Sequence, residues 1–390
     1  MDFDLPEELA ALQATCRRIA RERVRPRARE VDESGEYPQD LFEVFRDAGL
    51  LGLCIPEDYG GGGAGIQGLT LAVEEVAKYS NSAALMLLLT RLPTGPLMIA
   101  GSEDQRRRYL PGIADGSRRA AFGLSEPQAG SDVMGMRTKA VPDGDGGWVL
   151  TGRKCWMSGV AQADWYTVFA KTSADVTERR HDAVSAFVVE REWDGVEVGA
   201  LDRKMGVRGV DTGELLLEEV RVPAANVIGE IGGFRLAMLA LNAMRPVVAA
   251  RGIGLAEGAL MYATDYVRQR EAFGRTIADF QGIQWKLAEL ATDIEAARLL
   301  TYRAAWLADR GRYTREWVPH LSMAKYHATE VAVRAANLAV QLLGAAGYMK
   351  DHLTELYYRD ARQLTIVEGT SEIQLGLIAA GLLNRDLWWD

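Results

Sequence analysis

The 390-residue chain has few cysteines and histidines, and they are scattered. Its three cysteines, Cys16, Cys54 and Cys155, are far apart and form no C-x-x-C pair. This spacing argues against a disulfide framework and fits a reducing compartment. The four histidines form neither an H-x-x-x-H nor an H-E-x-x-H pattern, so the sequence predicts no metal site.

Long apolar runs and an excess of positive charge are also missing. The longest apolar run, residues 83–89, has seven residues, whereas a membrane-spanning helix needs roughly 20. The acidic N-terminus lacks the apolar region of a secretory signal. A formal charge of −9 disfavours a general nucleic-acid binder, which needs a basic face. We therefore expect a cytoplasmic protein that binds neither nucleic acid nor membranes.

The composition is that of a globular protein, and it is arranged in three zones. Residues 1–118 read as helices separated by Gly and Pro. Residues 119–230 contain short β-branched and aromatic segments, and the Asp-Gly run at 143–147 predicts a β-hairpin. Residues 231–390 repeat apolar positions at three- and four-residue steps, as long bundle helices do. The sequence predicts an α+β protein: an N-terminal α-helical domain, a central antiparallel β-barrel or sandwich domain, and a C-terminal four-helix bundle.

Two short motifs match known patterns but lack the surroundings that those patterns need. Gly60, Gly62 and Gly65 spell G-x-G-x-x-G, yet no strand directly precedes them and two carboxylates just upstream would repel a pyrophosphate. We expect a surface loop there rather than a nicotinamide site. Ser322 and Lys325 spell S-x-x-K inside a helical run, without the partner motifs of a serine acyl-enzyme. We interpret that match as a coincidence.

Three segments have the composition of a ligand site. The loop 122–132 offers small residues and hydroxyls that suit a planar or anionic ligand, although an interdomain turn has the same composition. Residues 156–159, Trp-Met-Ser-Gly, follow a predicted strand and form either an aromatic wall or part of the core. Ser371 and Gln374 predict a capping box at a helix start that favours an anion. Glu368, just before it, is either a buried base or a capping residue.

Taken together, five segments resemble the acyl-CoA dehydrogenase family in order and spacing, over essentially the whole chain. They are IPEDYGG at 55–61, SEPQAGSD at 125–132, REAFG at 270–274, QLLG at 341–344 and EGTSE at 368–372. The resemblance, which is to medium- and short-chain members, implies the three domains described above, FAD as cofactor and a role in fatty acid metabolism. It also implies an acyl-CoA or acyl-carrier thioester substrate, a homotetramer, and an electron-transferring flavoprotein as oxidant.

The same resemblance implies residue roles. Glu368 would remove the α-proton of the thioester while the β-hydride passes to FAD. The FAD-binding residues would be Phe122, Gly123, Leu124, Ser125, Ser131, Trp156, Met157, Ser158, Thr370 and Glu372. A neighbouring subunit's FAD would be reached by Arg270, Gln281, Gln341, Leu342, Gly344 and Ala345, and Ala272 and Phe273 would also bind the cofactor. The acyl-CoA site would include Ser131, Arg245, Gly369 and Arg91.

Three departures from the family pattern affect these expectations. Some relatives place the base where this chain has Met244, which leaves Glu368 as the candidate. Gln128 replaces a usual glycine and would narrow the loop over the cofactor. Arg91 either faces solvent or meets a polar acyl group. Two alternatives stay open: an oxygen-using flavin oxidase or monooxygenase of the same fold, and a non-catalytic family subunit. The presence of Glu368 argues against the non-catalytic alternative.

Overall fold

A computed structural model describes residues 4–173, 175 and 180–386. In these residues the chain forms helices, then a sheet, then helices again, and the predicted fold class is confirmed. The helices are α1 (Glu7–Ile19), α2 (Ala28–Ser34), α3 (Gln39–Asp47), α4 (Gly65–Ala77), α5 (Asn81–Leu88), α6 (Gly95–Ala100), α7 (Glu103–Ala114), α8 (Phe234–Gln269), α9 (Gln281–Ala308), α10 (Val318–Leu343), α11 (Thr354–Leu364) and α12 (Ser371–Leu382). The strands are β1 (Ala120–Gly123), β2 (Lys139–Pro142), β3 (Trp148–Ser158), β4 (Trp165–Lys171), β5 (Val184–Glu190), β6 (Val196–Leu201), β7 (Thr212–Val222), β8 (Val227–Ile228), β9 (Glu271–Ala272) and β10 (Arg275–Thr276).

Helix α5 of the N-terminal domain is stabilised by an N-cap and by burial. Ser80 precedes α5, and its Oγ accepts a hydrogen bond from the backbone N–H of Ala83 at 3.2 Å, which satisfies a donor that the helix leaves open. Every residue of α5 is buried. The apolar run at 83–89 is therefore a core helix, and it packs against α4 and α8.

The glycine-rich segment before α4 is an exposed loop, as predicted, and α4 holds a protein carboxylate at its N-terminus. Asp309 Oδ1 accepts a hydrogen bond from the N–H of Ile66 at 2.6 Å, and Oδ2 accepts one from the N–H of Gln67 at 3.0 Å. The amides that would hold a phosphate in a dinucleotide site are thus occupied. Gly61 also approaches the carbonyl of Ile55 so closely that a Cβ would lie 2.0 Å from it.

The central domain is an eight-stranded sheet in the order β6-β7-β3-β2-β4-β5-β8, with β1 beside β4. The predicted hairpin is confirmed, because β2 and β3 pair antiparallel across residues 143–147. The expectation of a purely antiparallel sheet is wrong, since β1 runs parallel to β4. Along β4, Trp165 and Phe169 pack in one core and Tyr166 and Val168 in another. Both faces of the sheet are thus covered, which explains the continuous apolar runs.

The C-terminal domain is a helical bundle built around α8 and α10. Helix α8 is long and apolar enough to span a membrane by length and composition, but 89 % of its most apolar window is buried inside the protein. It is the central helix of the bundle. Gly258 lets α8 approach the end of α4, because a Cβ at this position would lie 2.0 Å from the carbonyl oxygen of Lys78. The N-terminal domain and the bundle are therefore in direct contact.

Candidate active site

A cleft of about 730 Å³ opens where the three domains meet, within the range of ligand pockets, roughly 300–1,000 Å³. Its walls come from α5, the loop after β1, the end of β3, helix α8 and the segment between α11 and α12. Ten of the residues that the sequence predicts for the site line this cleft. They are Phe122, Leu124, Ser125, Ser131, Trp156, Ser158, Arg245, Glu368, Gly369 and Thr370. The structure thus brings together residues that are up to 248 positions apart, from 122 to 370.

The loop after β1 is held in place by a buried ion pair. Lys154 Nζ lies 2.7 Å from Glu126 Oε1 and also donates to the carbonyl of Leu124 at 3.1 Å. Glu126 accepts further hydrogen bonds from the backbone N–H groups of Arg137 and Thr138 at 2.6 and 3.0 Å. Burial alone would raise the pKa of Glu126, but Lys154 and these hydrogen bonds outweigh it and lower the pKa to about 2. The loop is therefore anchored by an ionised carboxylate.

Gln128 does not narrow the loop over the cleft, contrary to the sequence-based expectation. Its side chain is exposed and donates a hydrogen bond to Glu126 Oε2 at 2.6 Å. This contact holds Gln128 against the anchor of its own loop, and Gln128 is not one of the residues that line the cleft. The departure from the family glycine is accommodated without loss of space at the site.

Trp156 enters the cleft because the backbone of β3 is irregular there. The register between β3 and β7 shifts between Lys154 and Met157, and Trp156 has a φ of +54°, a left-handed conformation that is uncommon for a bulky residue. The ring is 57 % exposed, whereas Met157 is buried on the other face, against Gly123. The prediction that residues 156–159 follow a strand is wrong, since the first three of them lie within β3. Gly123 and Met157 support the wall and do not line the cleft.

Glu368 lies in the short turn between α11 and α12 and has a strained backbone. Its φ is +53°, and Gly369 follows at +93°. A left-handed conformation is unfavourable for glutamate and persists only where the surroundings impose it, often at functional sites. The side chain of Gln374 supplies such a constraint, because its Nε2 donates to the carbonyls of Glu368 and Gly369 at 3.3 and 3.2 Å.

The predicted capping box at Ser371 and Gln374 is wrong by one residue. Thr370 is the N-cap of α12, and its Oγ1 accepts a hydrogen bond from the N–H of Ile373 at 3.3 Å. Ser371 instead donates to Glu330 at 2.6 Å, and Gln374 holds the turn before the helix. Glu372 is exposed in the first turn of α12 and does not line the cleft. The local pattern was ambiguous because Thr370 and Ser371 are both good N-caps.

The carboxylate of Glu368 is shielded and has three cations near it. Part of the residue faces the cleft, but Oε2 is fully enclosed and has no hydrogen-bond partner among the described residues. Burial raises the pKa of Glu368 to about 7, against the opposing effect of Arg251, Lys325 and Arg245. A carboxyl group with a pKa near neutrality is well suited to take up a proton at that pH. The capping interpretation of Glu368 is excluded, since Thr370 is the cap.

Arg251 and Lys325 are residues of the site that the sequence interpretation missed. Arg251, fully buried, donates to Asn81 Oδ1 and to Gln363 Oε1, each at 2.9 Å. Lys325, also fully buried, donates to the carbonyl of Gly369 at 2.8 Å. Their partners lie far away in the sequence, so no local pattern pointed to Arg251. For Lys325 the S-x-x-K match was a signal, although for a different chemistry.

Arg91 is neither a surface residue nor part of the cleft wall. Its side chain is buried, so the solvent-facing interpretation is wrong. Its neighbours Leu89 and Leu92 line the cleft, whereas Arg91 lies against Gly95, where a Cβ would approach its NH1 to 2.8 Å. The ionisable groups that influence it are Cys54, Tyr313 and Asp309, not those of the cleft. Its enclosed NH1 has no hydrogen-bond partner among the described residues, and its substrate role stays a prediction.

None of the six residues predicted to serve a neighbouring subunit lines the cleft, and neither do Ala272 and Phe273. Leu342 packs in the core of the bundle, and the others lie at or near the surface. The two-residue turn Phe273–Gly274 joins β9 to β10, and both residues have positive φ, as in the tightest hairpins. The Phe273 ring is 94 % exposed. Because these residues do not line the cleft of their own subunit, their roles stay predictions.

Comparison with known proteins gives a consistent result over the whole chain. Acyl-CoA dehydrogenase domain models match residues 6–117 (N-terminal domain), 121–220 (middle domain) and 232–383 (C-terminal domain). An acyl-CoA dehydrogenase from Bacillus subtilis is 41 % identical over 380 residues, which cover 97 % of this chain and 98 % of that one.

Solved structures agree. Butyryl-CoA dehydrogenase from Megasphaera elsdenii superposes with a TM-score of 0.93 at 35 % identity and covers 98 % of this chain and 100 % of its own. A glutaryl-CoA dehydrogenase from Mycobacterium smegmatis, solved in complex with FADH2, superposes with a TM-score of 0.90 at 27 % identity and covers 98 % of this chain and 96 % of its own. The chain belongs to the acyl-CoA dehydrogenase family of flavin-dependent oxidoreductases.

Proposed function

We propose that the protein catalyses the FAD-dependent α,β-dehydrogenation of a short- or medium-chain acyl-CoA to the 2-enoyl thioester, with Glu368 as the base. The observation that carries the proposal is the shielded, unpaired carboxylate of Glu368 at the wall of the cleft. An α-proton of a thioester is only weakly acidic, so its removal needs a base whose pKa is close to the working pH. The raised pKa of Glu368 meets that need.

The residues of the cleft suit a flavin. The exposed Trp156 ring and the Phe122–Ser125 backbone would hold the planar ring system, with Ser158 and Thr370 beside it. Thr212 Oγ1, at the cleft, is enclosed and has no hydrogen-bond partner among the described residues, so a polar group of a ligand would satisfy it. When bound, FAD supplies the acceptor for the β-hydride, which no side chain can provide.

Arg245 is placed to hold the acyl thioester. One side of its guanidinium is fixed, since NH1 donates to Ser322 Oγ at 2.8 Å. Its Nε is enclosed at the cleft and has no partner within the described part of the chain. An N–H so placed would donate to a polar acceptor on the substrate, and a hydrogen bond that strengthens as negative charge develops on the thioester assists removal of the proton.

The experiment that tests the proposal is anaerobic titration of the purified protein with acyl-CoA thioesters of graded length. We expect a yellow protein whose flavin absorbance is bleached by the substrate and restored by an electron-transferring flavoprotein. Rapid reoxidation by oxygen instead would favour the oxidase alternative. A flavoprotein that no acyl thioester bleaches would favour the non-catalytic alternative, and a protein that binds no flavin would contradict the proposal.

We also propose that the protein is a homotetramer in which the Phe273 hairpin serves a neighbour's FAD. The Arg270→Ala substitution is then expected to lower FAD retention by about 10- to 10²-fold, since a hydrogen bond to a charged group contributes ~1.5–3 kcal/mol. Bound flavin per subunit and mass by light scattering measure this. Arg268→Ala, also exposed at the end of α8, is the control and should keep its flavin. Equal flavin in both variants would contradict the shared site.

Leu89 is expected to limit the acyl chain length. It lines the main cleft and also a second, smaller cavity of about 30 Å³, so it lies between the two. The Leu89→Ala substitution would join them and shift kcat/KM towards longer acyl-CoAs, by about fourfold per added methylene at ~0.8 kcal/mol each. Leu85→Ala widens the cleft only. If kcat/KM depended on acyl chain length in the same way in both variants, Leu89 would not be the residue that limits the chain length.

A further inference from the structure

The S-x-x-K pair of α10 lies at the candidate active site. Ser322 and Lys325 are three residues apart, on one face of the helix, and both are fully buried. Ser322 Oγ accepts a hydrogen bond from Arg245, and Lys325 Nζ donates to the carbonyl of Gly369. A serine engaged with a guanidinium has no base to activate it, so the acyl-enzyme chemistry of this motif is excluded.

Lys325 instead contacts the turn that carries the base. The carbonyl oxygen of Gly369 accepts from Lys325 Nζ at 2.8 Å and from Gln374 Nε2 at 3.2 Å. The bond from the ammonium is charge-assisted and is the shorter of the two. This hydrogen bond holds Gly369, the residue after Glu368. The left-handed backbone of Glu368 is unfavourable unless the surroundings support it.

The charge of Lys325 also acts on the carboxylate. The cations that influence Glu368 are Arg245 and Arg251 from α8 and Lys325 from α10. The acidic groups that act on Lys325 are first Glu368 and then Glu330 and Glu372. In the described part of the chain no ion pair ties Glu368 to any cation, so its ionisation depends on charges at a distance. Of the three cations, Lys325 alone is also bonded to the backbone of the base's own turn.

We propose that Lys325 is a positioning residue for Glu368: its ammonium fixes the Glu368–Gly369 turn through the Gly369 carbonyl and favours the carboxylate form of the base. The inference rests on the proposed function, because it concerns the state of the base in that reaction. Without the ammonium, the turn loses a constraint and the carboxylate loses one of three favourable charges.

The test compares neutral replacements of two buried lysines in the flavin-loaded enzyme. Lys325→Met and the shorter Lys325→Gln both remove the charge, and the second serves if the first fails to fold. Lys78→Met is the matched control, because Lys78 is a buried lysine paired with Glu75 and Glu257 outside the cleft. For each variant the pH profile of kcat, the flavin content, the melting temperature and the affinity for an acyl-CoA analogue that cannot be oxidised are measured.

For either Lys325 variant we expect kcat at pH 7 to fall by about 10- to 10²-fold, the range that a misplaced reacting group costs. The acid limb of the profile should move to higher pH, since losing a nearby positive charge raises the pKa of Glu368. Analogue affinity should stay within about twofold of wild type, because binding is not the step affected.

Two outcomes would overturn the inference. One is an unshifted acid limb in the Lys325 variants. The other is a lower melting temperature of the Lys325 variants with kcat unchanged at every pH, which is the result expected for Lys78→Met. If none of the acyl-CoAs bleached the flavin of the wild-type enzyme, the proposed function would be contradicted instead. The two failures are therefore distinguishable.

Discussion

Replacing Glu368 with glutamine is expected to abolish turnover while the fold and the bound flavin remain. The substitution nearly preserves shape and removes only the proton acceptor, and general base catalysis contributes about 10²- to 10⁴-fold. We expect kcat to fall by that factor and the affinity for acyl-CoA to change little. Stopped-flow bleaching of the flavin measures the chemical step directly.

The control for this substitution is Glu8→Gln, the same change at an exposed position of α1. In the wild type, kcat should also fall as the pH drops below about 7, because Glu368 must be ionised to accept a proton. If Glu368→Gln kept more than about a tenth of wild-type kcat, the base would be another residue, since loss of a general base costs ~10²-fold or more.

Replacing Lys154 with methionine is expected to destabilise the protein severely and to release its flavin. The substitution leaves the Glu126 carboxylate buried without its counter-ion, and breaking such a pair costs about 3–5 kcal/mol. The loop after β1, which the pair anchors, would loosen at the same time. Denaturant unfolding and flavin content at equilibrium measure the two effects.

The double variant Lys154→Met with Glu126→Gln separates charge from packing. A neutral glutamine needs no counter-ion, so we expect the double variant to recover part of the lost stability, and additive losses would contradict the buried-pair argument. The pH dependence gives a second check. The pKa of Glu126 is held well below the ordinary value for glutamate, so its stabilisation is present at neutral pH and is lost as the pH falls towards about 2.

Periodicity and turn signals predicted the order of the elements, and the family resemblance predicted ten of the residues that line the cleft. The apolar stripes of the bundle helices and the hairpin at 143–147 follow from spacing alone. The four-residue strand β1 was missed, because so short a segment carries too little alternation to be recognised. The irregular backbone at Trp156 was missed as well, since a bulge depends on pairing with β7 and not on β3 alone.

The electrostatics of the site could not be read from the sequence. Glu368 was predicted from its motif, but its pKa is raised by burial and opposed by Arg251 and Lys325, and both effects arise only after α8 and α10 have packed. The orientation of Arg91 was equally undetermined, because a position in the turn between α5 and α6 can face either way. Such features depend on contacts between distant segments, which spacing along the chain does not reveal.

The contact between the Asp309 carboxylate and the N-terminus of α4 has a consequence for folding during synthesis. Helix α4 is completed by a residue that leaves the ribosome some 240 positions later. The core around α4 and α5 likewise includes residues of α8 and of the end of α9, such as Val247 and Ala305. The first domain to be synthesised therefore lacks its cap and part of its core until the central sheet and half of the bundle have followed.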